Sequence, residues 1–169
     1  NGHTEELVGQ AIRGVDRSKL FLTTKVRPPN LSYQRTLASI DGSLQRLGVD
    51  TIDLFLIHWR DATPLAETFR ALNEAVRAGK IRYLGVSNFD VAEMKESQEL
   101  SETPIVTNQV PYSLTTRSYV QNGVIPYCQA NNIVVTAYSP VEEGQLSVQN
   151  MLAEIAAAHN ATPYQIALA

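Results

Sequence analysis

The chain alternates between two hydrophobic periods. LFLTTKV (20–26) is a short run rich in apolar and β-branched residues, bounded by Pro28-Pro29, and it predicts a strand. Leu37, Ile40, Leu44 and Leu47 then recur at helical spacing, and Gly48 stands where a helix C-terminal glycine belongs. IDLFLIH (52–58) is the next strand, apolar on both faces as in a covered parallel sheet. Thr63-Pro64 predicts an N-cap followed by proline at the first helical position. Leu65, Phe69, Leu72 and Val76 form that helix's buried stripe, and Gly79 ends it. IRYLGVSN (81–88) predicts a third strand, and Asp90 with Glu93 a capping box for the helix VAEMKESQEL. IVTNQVPY (105–112) is a fourth strand, followed by a weaker helical stretch over 125–131. NIVVTAYSP (132–140) is a fifth. NMLAEIAAAHN and TPYQIALA close the chain as helical segments, with Asn150 and Thr162 as their capping residues.

Strand and helix thus alternate with no hairpin signal between them. Such repetition builds a parallel α/β sheet with right-handed crossovers. Two architectures fit: an open doubly wound sheet, or a (β/α)8 barrel with units missing. A full barrel needs about 250 residues, and this chain has 169. No GxGxxG follows any strand, so the dinucleotide fingerprint of the open fold is absent, which weakens that reading.

Composition narrows the function classes. A net charge of −3 gives no electrostatic case for nucleic acid or an anionic membrane, and no apolar run approaches the length of a membrane span. The opening residues lack the charged and apolar regions of a signal peptide. Cys128 is the sole cysteine, so there is no internal disulfide framework, and a reducing cytoplasm is the expected compartment. His3, His58 and His159 lie far apart without ligand spacing, so no metal site is expected.

The strand ends carry the chemistry. In either architecture ligands bind at the carboxyl ends of the strands. The first strand ends at Lys25, the second at His58-Trp59 and the third at Ser87-Asn88. The fourth carries Asn108-Gln109, and the fifth ends at Tyr138-Ser139. A polar group buried without a partner costs about 1–3 kcal/mol. One shared polar pocket therefore accounts for these residues better than five separate accidents.

FLTTKV, DLFLIHW, GKIRYLGVSNF, TNQVPYS and VVTAYSP, taken in order, resemble the successive signatures of the aldo-keto reductases. NGHTEELVGQAI is similar to the segment after that family's second strand. The resemblance covers essentially the whole chain. It implies a (β/α)8 TIM barrel, of which residues 1–169 form a single partial domain holding roughly strands 3 to 7. It implies hydride transfer from NADPH, less often NADH, to the carbonyl of an aldehyde or ketone.

By the same resemblance Lys25 and His58 match the catalytic lysine and histidine. Ser87, Asn88 and Gln109 match the residues that hold the nicotinamide carboxamide, and Tyr138 the ring that stacks on the nicotinamide. Ser139 opens the loop toward the pyrophosphate, and Trp59 lines the substrate pocket. The residue types suit the chemistry: a carbonyl accepting hydride becomes an alkoxide and needs a polarising group and a proton donor at its oxygen.

The chain departs from the family pattern in three places. The catalytic tyrosine and its aspartate partner belong before the segment that begins at Asn1. Tyr33, Tyr83, Tyr112 and Tyr138 match other positions and do not replace that tyrosine. The eighth strand and the loop that grips the adenosine 2′-phosphate belong after Ala169, so the fragment alone is expected to be inactive. Arg60 follows Trp59 where the family often has proline. The expected partner is a small carbonyl substrate, and a monomer is expected rather than an oligomer. Two other functions remain open: a non-catalytic NADPH-binding sensor resembling a channel subunit, and a Schiff-base lyase using Lys25.

Overall fold

β1 (Thr23–Val26), β2 (Ile52–Ile57) and β3 (Ile81–Ser87) run parallel, side by side and in chain order. They belong to a computed structural model that describes residues 2–146 and 149–169; Asn1, the first residue of the opening segment, lies outside them. The chain divides into two units, Asn1–Asn108 and Gln109–Ala169.

In the first unit, α1 (His3–Ala11) precedes β1, α2 (Tyr33–Leu47) joins β1 to β2, and α3 (Leu65–Arg77) joins β2 to β3. α4 (Val91–Leu100) leads into β4 (Ile105–Pro111), whose last residues enter the second unit. Thr23 pairs with Leu54 and Lys25 with Leu56; Leu54 pairs with Tyr83 and Leu56 with Gly85. Side chains alternate across a strand, so this register sets Lys25, Leu54, Leu56, Tyr83 and Gly85 on one face. Val26, Phe55, Ile57, Leu84 and Val86 point to the other, and all five are buried. The helical stripe supplies the matching layer: Ile40 and Leu47 of α2, and Leu65, Phe69 and Leu72 of α3, are buried as their spacing predicts.

The chain punctuation is local and follows its chemistry. Gly48 caps α2 with φ 68, the left-handed conformation that glycine adopts without a Cβ clash. Asp90 and Glu93 form the full capping box of α4. Thr162 and Gln165 do the same for α8 (Pro163–Leu168).

Four boundaries differ from expectation. β1 begins at Thr23, because a single 3-10 turn over Arg17–Lys19 ends at Leu20 and the Leu22 N–H donates to the Asp53 carboxylate at 2.8 Å. Thr63 is not the cap of α3. Its N–H donates to Asp61 Oδ1 at 2.7 Å in an Asx turn, and Pro64 takes the cap position. Asn150 lies inside α7 (Gln149–Ala158) rather than before it. The weak stretch over 125–131 is preceded by an extra turn, α5 (Ser118–Gln121), and becomes α6 (Val124–Ala130), which Gly123 opens at φ 85.

The second unit holds the end of β4, then α5, α6, β5 (Val134–Tyr138), α7 and α8. Val124, Cys128, Ile133, Leu152 and Ala156 are buried in it. Cys128 is a packed thiol that burial pushes up in pKa, as an inert core cysteine should be. No helix among the described residues is long and apolar enough to cross a membrane.

Candidate active site

The first unit gathers five of the eight candidate residues at the carboxyl ends of β1, β2 and β3. Lys25 and His58 emerge from adjoining parallel strands. Lys25 is in register with Leu56, two residues before His58, so alternation puts both side chains on one face at one end. The His58 N–H donates to the Val26 carbonyl at 2.9 Å and locks the strands together at that level.

Lys25 is half-buried, and loss of hydration pushes its ammonium pKa down. The His58 pKa is also lowered, first by burial and then by the charges of Lys25 and Arg27. Its imidazole is therefore neutral near pH 7. Nδ1 is buried with no hydrogen-bond partner among the described residues. A neutral ring with Nδ1 left as the acceptor would carry its proton on Nε2. The Trp59 ring lies 3.9 Å from the His58 ring, tilted by 49°, and nearly half of Trp59 is exposed.

Asn88 follows β3 in the left-handed region at φ 63. Its Nδ2 donates to the His58 carbonyl at 3.1 Å and to Ser87 Oγ at 3.0 Å. Ser87 is buried. The Asn88 amide thus fixes the end of β2 against the end of β3, and the Asp90 side chain caps α4. Below this rim Gly85 leaves no room for a side chain: a Cβ there would meet Leu56 Cδ2 at 2.4 Å and Thr107 Cγ2 at 2.7 Å. Asn108, beside Gln109 in sequence, points elsewhere. It is fully buried, and its Nδ2 donates to the Phe89 carbonyl at 2.9 Å.

The second unit holds the other three candidates. Gln109 is half-buried on β4, and Tyr138 is 38% exposed at the end of β5. The Tyr112 N–H reaches the Tyr138 carbonyl at 3.4 Å, which joins the ends of those strands. Ser139 follows in the left-handed region at φ 50, and its carbonyl accepts from the Glu142 N–H at 3.0 Å.

Sequence reasoning missed Arg27. Its charge reads as part of the loop before Pro28-Pro29, but it directly follows β1 and is among the charges that act on His58. Among the described residues no three His, Cys, Asp or Glu side chains form a metal-ligand group.

A parallel α/β sheet with lysine, histidine and amide groups at the carboxyl ends of its strands defines a segment of a (β/α)8 barrel with a polar site at the strand ends. A sequence model of the aldo/keto reductase family matches residues 1–169, and the chain belongs to that family. It is 39% identical, over 175 aligned residues, to methylglyoxal reductase YeaE of Escherichia coli strain K12, covering all of this chain and 61% of the relative. Its structure is similar to that of the thermostable aldo-keto reductase Tm1743 in complex with the inhibitor epalrestat. There the TM-score is 0.95 at 45% identity, covering 99% of this chain and 62% of the other. It is also similar to an aldo-keto reductase from Klebsiella pneumoniae in complex with NADPH, with a TM-score of 0.87 at 36% identity, covering 99% and 60%. The chain thus spans about three-fifths of the length of the relatives it matches.

Proposed function

We propose that the protein containing this chain reduces small aldehydes and ketones to alcohols with NADPH or NADH. The observation that carries this reading is the shared face of Lys25 and His58, on adjoining strands and at one end. A relative that reduces methylglyoxal and a related structure holding NADPH support it.

The donor set fits a nicotinamide. Ser87 offers a hydroxyl, and Asn88 and Gln109 offer amides able both to donate and to accept, as a neutral carboxamide requires. Tyr138 offers a partly exposed ring for stacking on a flat heterocycle.

NADPH supplies hydride when bound. His58, neutral with its proton on Nε2, donates a hydrogen bond that orients and polarises the carbonyl oxygen. The Lys25 ammonium lends positive potential where negative charge develops on that oxygen, and its partial burial strengthens the effect. Trp59 walls the substrate side. Proton delivery falls to the family's tyrosine, which none of the four tyrosines matched above replaces. We assign the protein to the cytoplasm as a monomer: one buried thiol requires no oxidising compartment.

The test uses the intact protein, with NADPH consumption followed against methylglyoxal and simple aldehydes. Turnover that collapses in both Lys25→Met and His58→Gln supports the reading. NADPH that binds but is never consumed with any carbonyl would sink it.

A further inference from the structure

We propose that Arg27 is a specificity-determining residue: its guanidinium binds an anionic group, a carboxylate, carried on the carbonyl substrate that Lys25 and His58 receive. This rests on the reductase reading above.

The register places it. β1 and β2 pair through Val26 and Ile57. Arg27 directly follows β1 and His58 directly follows β2, and the bond from the His58 N–H to the Val26 carbonyl holds the strands at that level. Arg27 is also two residues beyond Lys25, so strand alternation carried one residue past Val26 would set it on the face of Lys25 and His58. The Arg27 carbonyl accepts from the Asn30 N–H at 2.8 Å, which turns the chain immediately after it. The electrostatics agree, since Arg27 is among the charges that disfavour the imidazolium of His58.

Charge pairing then singles it out. Most cations of the first unit near a carboxylate have taken one: Arg17 and Arg82 bind Asp53, Arg46 binds Glu5, Arg60 binds Glu96, Arg77 binds Glu102 and Lys80 binds Asp41. Arg70 lies over the Tyr33 ring. Among the described residues no carboxylate pairs with Arg27 or Lys25. An exposed guanidinium two residues beyond a half-buried ammonium leaves a net positive mouth on a chain whose total charge is −3. Two like charges beside a histidine oppose each other and gain nothing for the fold. They do attract a substrate anion, and the planar fork of arginine suits a carboxylate in two-point contact.

Arg60 is the other cation near this rim. Its guanidinium is held 3.2 Å from Glu96 on α4 and is already neutralised. Arg27 is therefore the group left to read the substrate's charge.

The test compares 4-oxobutanoate with its methyl ester in the intact protein with saturating NADPH. The two substrates share the reacting aldehyde; the ester lacks the charge and carries one added methyl group. The expected result is that Arg27→Ala lowers the ratio of kcat/KM for acid over ester by roughly tenfold or more, the scale of one charge-assisted hydrogen bond. Arg27→Lys restores part of it, and Arg27→Glu lowers it further. Arg77→Ala, an exposed arginine far along the chain, serves as control and leaves the ratio as it is. An acid-to-ester ratio unchanged in Arg27→Ala while both substrates turn over overturns the role of Arg27 alone. So does a rise in KM for NADPH, measured by varying NADPH at fixed aldehyde, without a change in the ratio, since that places the guanidinium on the coenzyme. No consumption of NADPH by the parent protein with either substrate, while methylglyoxal is reduced, overturns this inference alone; no consumption with any carbonyl overturns the reductase reading and this inference with it.

Discussion

Asn88 reaches back across one strand and donates its side-chain N–H to the backbone carbonyl of His58, 3.1 Å away. An amide proposed to touch the cofactor therefore also fixes the strand end that carries the proposed catalytic histidine. Replacing it removes two hydrogen bonds and leaves a residue with a Cβ at φ 63. Asn88→Ala should cost about 2 kcal/mol of stability and weaken NADPH binding. Asn88→Gly relieves the backbone while still losing the amide. It should recover stability without recovering NADPH affinity, as denaturant midpoints and fluorescence titration would reveal.

The neutral state of His58 has a direct readout. Burial and two nearby cations hold its pKa below the ordinary histidine value of 6.5. Removing one cation in Lys25→Met should move the ring's titration midpoint upward, toward that value. NMR titration of the His58 ring in the two proteins checks this; a midpoint that stays put or falls would show that Lys25 does not act on the imidazole.

Asp53 anchors the opposite end of β2. It is fully buried, accepts from the Leu22 N–H, and pairs with Arg17 and Arg82. Burial alone would raise its pKa, but the Leu22 N–H and the two guanidinium groups reverse the balance and lower it. A depressed folded-state pKa means stability that is complete above the unfolded value, ordinarily 3.8 for this side chain, and lost as pH falls through the folded value. Asp53→Asn should destabilise by about 3 kcal/mol, the low end for a broken buried pair because Arg82 is largely exposed. It should also flatten the loss of stability in acid. Urea midpoints at pH 7 and pH 3 measure both effects.

Gly85→Ala tests how closely the strands pack beneath the site. The added methyl would press on Leu56 and on both the side chain and backbone of Thr107, with Thr107 O at 3.0 Å. Backbone atoms cannot swing aside, so the expected cost is about 1–3 kcal/mol. Thermal unfolding would report it, and a variant as stable as the parent would show that β4 gives way.

Legibility in the sequence followed the range of each interaction. Gly48, the box of Asp90 with Glu93, and Thr162 with Gln165 act within a few residues of themselves, so their roles could be read from spacing. Lys25, His58 and Asn88 could be placed because strand ends are visible as the ends of apolar runs. The role of Asp53 was not legible, since its partners Arg17, Leu22 and Arg82 come from distant segments that only the register brings together. Thr63 misled because Asp61, two residues earlier, competes for its N–H. Arg27 was hidden by the prolines behind it, which mark a turn and draw attention away from the period-two pattern in front.

The order β1-β2-β3-β4-β5 makes every strand the sheet neighbour of the one synthesised just before it. Short loops close cheaply, so each strand–helix unit can dock on the edge its predecessor offers as it leaves the ribosome. Assembly by accretion of this kind has a polarity: the edge for the next strand exists only after the previous helix has folded back. A lesion in α2 or α3 should therefore delay everything synthesised after it, while the same lesion in α8 would leave the earlier layers already set.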